Sequence, residues 1–185
     1  KIQKIYKNKK PNFHYAEFAE DIMVGRIFKN FKEGFYLDVG AYHPYKGSLT
    51  LNLYKSGWKG INLDISKSSI DLFNLARPKD LNLNFAVSDF NGETYYYENS
   101  PINQQNSLVY QNENQKKIKV ECLKLSEILK LQNIKHVDYI NIDTEGNELK
   151  VLKGLDFNKI KPFLFTIEDN SFDKVISWGV IHHSG

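Results

Sequence analysis

The residues that could do chemistry close a series of apolar runs. Asp38 follows Phe35-Tyr36-Leu37, Asp64 ends Gly60-Ile61-Asn62-Leu63-Asp64, and Ser88-Asp89 follows Leu81 to Val87; Asp143 ends the run from Val137, and Glu168-Asp169 follow Pro162 to Ile167. Carboxylates gathered on strand tips accept hydrogen bonds from hydroxyls and stabilise positive charge, so the set suits a cationic or polyhydroxylated ligand, such as a nucleoside with a positive centre. Asp38 leads at once into Gly40, where the absence of a side chain lets the backbone approach a ligand, and Pro44 and Gly47 mark the loop that follows. Asp64 lies 24 residues beyond Gly40. That is about where a βαβ nucleotide fold places the carboxylate that binds ribose hydroxyls. An NAD pyrophosphate suits the loop less well, because Tyr42, His43 and Pro44 stand where G-x-G-x-x-G would put small residues.

These tips converge only if the runs are parallel strands, and the intervening segments read as the helices that make them so. Apolar residues at Phe18, Ile22, Ile27 and Phe28 predict an amphipathic helix within Tyr15–Phe31. Ser48–Ser56 predicts a second, stopped by Gly57; Ser68–Ala76 a third, closed by Arg77-Pro78; and Leu123–Leu131 a fourth. The turn Thr144-Glu145-Gly146-Asn147-Glu148 opens another through Val151 and Leu152. Alternation of this kind predicts a Rossmann-like α/β fold, a doubly wound, mainly parallel sheet. Between Glu93 and Val120 the pattern changes. Tyr95-Tyr96-Tyr97 reads as a half-buried strand, and the Asn- and Gln-rich stretch 99–115 as a hairpin or a substrate-facing excursion.

Composition narrows the classes. A chain of 185 residues, 41% hydrophobic, is one domain able to bury ~70% of its unfolded surface. The expected division is a basic arm at 1–14, carrying Lys1, Lys4, Lys7, Lys9 and Lys10, a catalytic domain at 15–175, and a tail at 176–185 whose His182 and His183 are assigned no role. The single Cys122 excludes an internal disulfide and a cysteine-based zinc site. No apolar run approaches the ~20 residues of a membrane span, and no signal-peptide core opens the sequence, so the expected compartment is the cytoplasm. A net charge of +3 is too small to argue for a nucleic-acid partner.

The motifs in order resemble one family. Phe35 to Pro44, Ser48, Leu53-Tyr54, Gly57 to Asn62, Arg77-Pro78, Ala86-Val87-Ser88, Ile142 to Glu148, Val151 to Gly154 and Ile167-Glu168 are similar to the FkbM-type S-adenosylmethionine-dependent methyltransferases, over about Phe18 to Asn170. The resemblance implies the class I methyltransferase fold, S-adenosylmethionine as methyl donor, and as partner a small-molecule or carbohydrate acceptor methylated on a hydroxyl. It implies that Asp38, Gly40, Ala41 and Ser48 hold the methionyl end, that Asp64 binds the ribose and Ser88-Asp89 meet the adenine, and that Glu20-Asp21 close over the methionyl amine.

An aliphatic hydroxyl is a poor nucleophile until its proton has a destination, which calls for a base or a metal. Asp143 is the favoured base, with Glu145 in the next turn and His43, of ordinary pKa about 6.5, as the other candidates. Asp143, Glu168, Asp169 and Asn170 also offer hard oxygen ligands that would suit Mg2+.

Overall fold

The computed structural model describes residues 14–169 and the backbone of 177–182. The N-terminal basic arm, Asn170 and His183 lie outside the described residues, as do the side chains of Asp169 and His182.

Five parallel strands form the body of the main sheet: β1 (Phe35–Val39), β2 (Lys59–Asp64), β3 (Leu81–Asn84), β7 (Tyr139–Ile142) and β8 (Leu164–Asp169), in the order β3-β2-β1-β7-β8. The predicted Rossmann-like arrangement is therefore what the chain adopts. Strand β1 is central and buried on both faces, which is why it reads as a continuous apolar run. Leu37 and Val39 face a cluster with Ile61, Leu63, Ile140 and Ile142, covered by α4 (Leu125–Leu131) and α5 (Glu148–Lys153). Tyr36 points the other way, toward Val24 of α1 (Glu20–Ile27), Phe28 at its C-cap, Leu53 of α2 (Leu51–Lys55) and Trp58. Helix α3 (Lys67–Ala76) completes the β2–β3 crossover; its N-cap Ser66 accepts from the Ser69 amide, and Arg77-Pro78 ends it.

The register places one polar residue per strand in a single row. Asn82, Asn62, Asp38, Asn141 and Thr166 are successive cross-strand neighbours, and Asn62, Asp38, Asn141 and Thr166 are buried. Hydrogen bonds join Asn62 to Asn82 on one side of the row, and Asn141 to Asp38 and Thr166 to Asn141 on the other, while Asn62 Oδ1 stays buried without a donor.

Three elements differ from the sequence expectation. Leu81–Val87 is two strands: β4 (Ala86–Val87) leaves the main sheet to join β5 (Gly92–Glu98) and β6 (Lys116–Leu123) in a small sheet of order β4-β6-β5. Its core is Ala86, Tyr96, Val120 and Cys122, so the middle tyrosine of the triplet is the buried one. Helix α1 is shorter than predicted, because Ala19 takes a left-handed conformation at φ 65° and begins it late. Part of the expected tail is a strand, β9 (Ser177–His182), antiparallel to β8.

Candidate active site

The carboxyl ends of β1, β2 and β7 open onto two adjoining clefts. The first is walled by Leu63, Ile65, Phe85, Val87 and Leu108, with Asp64 at its rim; the second is lined by Glu17, Phe18, Ser48, Glu145 and Glu168. Gly40, Tyr42, Gln104 and Asp143 border both, so the clefts meet at the loop after β1 and the tip of β7.

Asp64 is 8% exposed, and its two oxygens organise the turns around it. One accepts from the Tyr42 amide at 2.8 Å and the other from the Ser66 amide at 2.7 Å, which leaves lone pairs for ligand hydroxyls. Burial pushes its pKa up to about 6, against the pull of those amides. A carboxylate accepts ribose hydrogen bonds best when ionised, so affinity for adenosine is expected to be level above pH ~7 and about tenfold weaker at pH 5. Calorimetric titration with adenosine measures this without the methionyl end; equal affinity at both pH values would remove Asp64 from the ribose role.

Asp38, at the tip of β1, accepts from Thr50 Oγ1 at 2.6 Å and from Asn141 Nδ2 at 2.9 Å. Ser48 Oγ accepts from the Leu51 amide and from Arg77, while the Gly40 and Ala41 amides donate to the Leu63 carbonyl. Gly40 has φ 79°, a conformation natural to glycine, whereas Tyr42 (φ 54°) and Glu145 (φ 56°) adopt left-handed backbone without that excuse. Two strained residues at the rim are what a functional site over-determined by its surroundings shows.

Beyond β7 lies an acidic cluster. Asp143, Glu145 and Glu168 each offer an oxygen within 4.8 Å of the others. Burial first, then the Glu168 carboxylate against it, holds Asp143 well above the ordinary range, and Glu145 is pushed up to about 7 by burial and by the charge of Glu168. Carboxylates this close disfavour one another's ionised forms. The following turn does not need Asp143 as a cap, because Glu148 Oε1 accepts from the amides of Thr144 and Gly146 and from Thr144 Oγ1.

Other sequence candidates lie elsewhere. His43 Nδ1 accepts from the Tyr45 and Lys46 amides, and burial with nearby Lys46 and Arg77 lowers its pKa, so the ring holds the loop as a neutral imidazole and lines neither cleft. Ser88 and Asp89 line neither cleft, and Val87, Phe85 and Leu108 provide the apolar wall near them. Glu20 and Asp21 stand behind the second cleft: Glu20 accepts from the Phe18 amide, and Asp21 from the Tyr15 amide and Asn52 Nδ2. They shape the Glu17-Phe18 segment that lines it. Of the expected metal ligands, Asp143 and Glu168 come together, with Glu145 as the third; the Asp169 side chain and Asn170 lie outside the described residues. Sequence reasoning missed Gln104, Thr50, Asn141 and Arg77. Gln104 had a signal in its place within the 99–115 excursion, and Arg77 in the Arg77-Pro78 motif, there read as a helix end.

A family model described as "Methyltransferase FkbM domain" matches residues 38–178. The chain belongs to the FkbM methyltransferase family. No curated protein and no solved structure matches it. The family implies S-adenosylmethionine as methyl donor, and the clefts of this FkbM methyltransferase fit that molecule chemically. An apolar slot suits an adenine, Asp64 suits a ribose, and an acidic second cleft suits a sulfonium cation. Two buried acceptor oxygens without a hydrogen-bond donor, Glu20 Oε1 and Asp21 Oδ1, belong to the helix that starts beside that cleft. Among the described residues of this FkbM chain, no helix is long and apolar enough to cross a membrane.

Proposed function

We propose that this methyltransferase transfers the methyl group of S-adenosylmethionine to a hydroxyl oxygen of a sugar, glycolipid, polysaccharide or related small molecule. The observation that carries the reading is Asp143, among the described residues the one carboxylate bordering both clefts, set against Glu145 and Glu168 at the tip of β7.

S-adenosylmethionine, when bound, supplies a methyl group already activated for displacement. The chain then has three tasks. Gly40, Ala41, Asp38 and Ser48 hold the methionyl end, with Glu20 and Asp21 behind them, and Asp64 fixes the ribose. The walls around Phe85 and Leu108 exclude water from the adenine. Asp143 would accept the proton of the acceptor hydroxyl as the new carbon–oxygen bond forms and the methyl–sulfur bond breaks, the sulfur leaving as a neutral thioether, with Glu145 and Glu168 beside the base. Alignment of donor and acceptor supplies most of the rate, up to ~7–11 kcal/mol in well-oriented systems. The cytoplasm suits such an enzyme with a single free, buried Cys122.

The spacing of Asp143, Glu145 and Glu168 also favours a second reading of the proton step, in which the three hold Mg2+ and lower the hydroxyl's pKa. Dialysis against EDTA separates the two: a carboxylate base predicts unchanged turnover, a metal predicts loss restored by Mg2+.

Calorimetric titration with S-adenosylmethionine, and separately with NADH, tests the donor. Micromolar binding of the first, weakened tenfold or more by Asp64→Ala, is expected. Incubation with methyl-labelled donor and a panel of oligosaccharides, polysaccharides and glycolipids tests the acceptor. Label held in alkali-stable ethers supports O-methylation of hydroxyls, whereas label released by alkali points to carboxyl methylation and overturns that part. A folded protein that binds NADH and not the sulfonium cofactor would sink the whole reading.

A further inference from the structure

The largest fully buried side chain in the described residues is a cation, Arg77, at 0% exposure. It follows α3, whose residues make no contribution to either cleft; the buried Asp80 feels its charge, but no ion pair joins the two among the described residues and Arg77 Nε has no hydrogen-bond partner, so the guanidinium is a costly choice for filling space. Its contacts show what it holds. Nη1 donates to Thr50 Oγ1 at 2.8 Å; Nη2 donates to Ser48 Oγ at 2.7 Å and to the Pro44 carbonyl. Phe73 and Tyr54 lie 5.0 and 5.7 Å from the guanidinium carbon and pack its faces. Every polar partner thus lies between residues 44 and 50, the loop that leads from the tip of β1 to α2.

The direction of these hydrogen bonds matters, because a guanidinium only donates. Thr50 Oγ1 accepts from Arg77, so its own hydrogen goes to Asp38 Oδ2 at 2.6 Å. Asp38 receives a second donor from Asn141, and both its oxygens are thereby fixed as acceptors. Ser48 Oγ accepts from Arg77 and from the Leu51 amide, which turns its hydrogen outward, toward Thr50 at 3.4 Å or into the cleft that Ser48 lines. Without a donor at position 77, Thr50 Oγ1 would be held by Asp38 alone and Ser48 Oγ by the Leu51 amide alone.

We infer that Arg77 is a positioning residue for the methionyl end of the cofactor site, holding residues 44–50 in place and fixing the hydrogen-bond polarity of Ser48, Thr50 and Asp38. The inference rests on the reading of the second cleft as the methionyl site. It does not extend to the adenosine end, which Arg77 does not touch.

Two ligands separate the ends: S-adenosylhomocysteine carries the amino acid moiety, and 5′-methylthioadenosine shares the adenosine but lacks it. Calorimetric titrations of wild type, Arg77→Lys and Thr50→Val with both are expected to show a tenfold or greater loss of affinity for the first ligand in each variant. Affinity for the second stays within about twofold, and Thr50→Ser, which keeps the hydroxyl, restores wild-type binding of both. Equal losses for the two ligands, or none, would overturn the inference, as would thermal melts showing Arg77→Lys and Thr50→Val both unfolded, since the network would then be structural. Wild type that fails to bind S-adenosylhomocysteine sinks the cofactor reading itself, whereas wild type that binds it alongside unaffected variants sinks only the role of Arg77.

Discussion

Asp143→Asn is expected to lower methyl transfer by about 10²–10⁴-fold while leaving the affinity for S-adenosylmethionine within a few-fold of wild type. The amide keeps the shape of the side chain and removes its capacity to take a proton. The backbone contact at this position, the Asp143 amide donating to the Val39 carbonyl, is untouched. Steady-state rates on an acceptor from the labelled panel, set beside calorimetric affinities, separate the two effects. Full activity would pass the role of base to Glu145, and a parallel collapse of binding would make Asp143 a cofactor ligand instead.

The same substitution carries a stability prediction of opposite sign. Glu145 titrates in the folded state at about 7, above its ordinary value of 4.5. The native state therefore binds more protons than the unfolded chain between those values, and stability falls as pH rises from about 4.5 to 7. Asp143, also raised, adds to the trend. The wild type is thus expected to melt higher at pH 5 than at pH 8 as far as this cluster is concerned. Asp143→Asn removes one of three mutually repelling carboxylates, so at pH 8 it should melt at or above the wild type. A carboxylate that served the fold, such as Glu148 with its three donors, would lower the melting temperature when neutralised.

That contrast shows what the sequence could and could not display. Acids at the ends of apolar runs, with helices between them, place Asp38, Asp64, Asp143 and Glu168 at one sheet edge, because parallel strands must all point the same way. The resemblance to the FkbM family rests on the same motifs, and the family match begins at Asp38. What the sequence could not show is register. Asn62, Asn141 and Thr166 are unremarked polar residues inside apolar strands until pairing lines them up beside Asp38. Arg77 reads as the end of a helix before a proline, and only the return of the chain over residues 44–50 gives its guanidinium three acceptors. Ser88-Asp89 illustrates the converse: a polar turn after a predicted strand looked like part of the rim, but β4 leaves the main sheet one residue after Phe85, and the turn goes with it.

Gly40→Ala is expected to destabilise the protein by about 4 kcal/mol or more, a melting-temperature loss of roughly 10 °C or more for a domain of this size. A Cβ built at Gly40 would lie 1.6 Å from the Asp143 carbonyl oxygen, and the residue's φ is 79°. Gly57, at φ 97° with nothing within 4 Å of its Cβ, provides the control. Gly57→Ala suffers only the left-handed backbone cost of ~1–2 kcal/mol, so the difference between the two melts isolates the clash. Matching melts would mean that the loop and the β7 tip are not in contact as described. The obstacle at Gly40 is backbone, held on one side by the Gly40 amide donating to the Leu63 carbonyl and on the other by the Asp143 amide donating to Val39. It cannot swing away as a side chain would, and the variant can fold only by parting the tips of β1 and β7. That separation moves the cofactor loop away from Asp143, so any folded Gly40→Ala protein should lose S-adenosylmethionine affinity and methyl transfer together, where Asp143→Asn loses only the second.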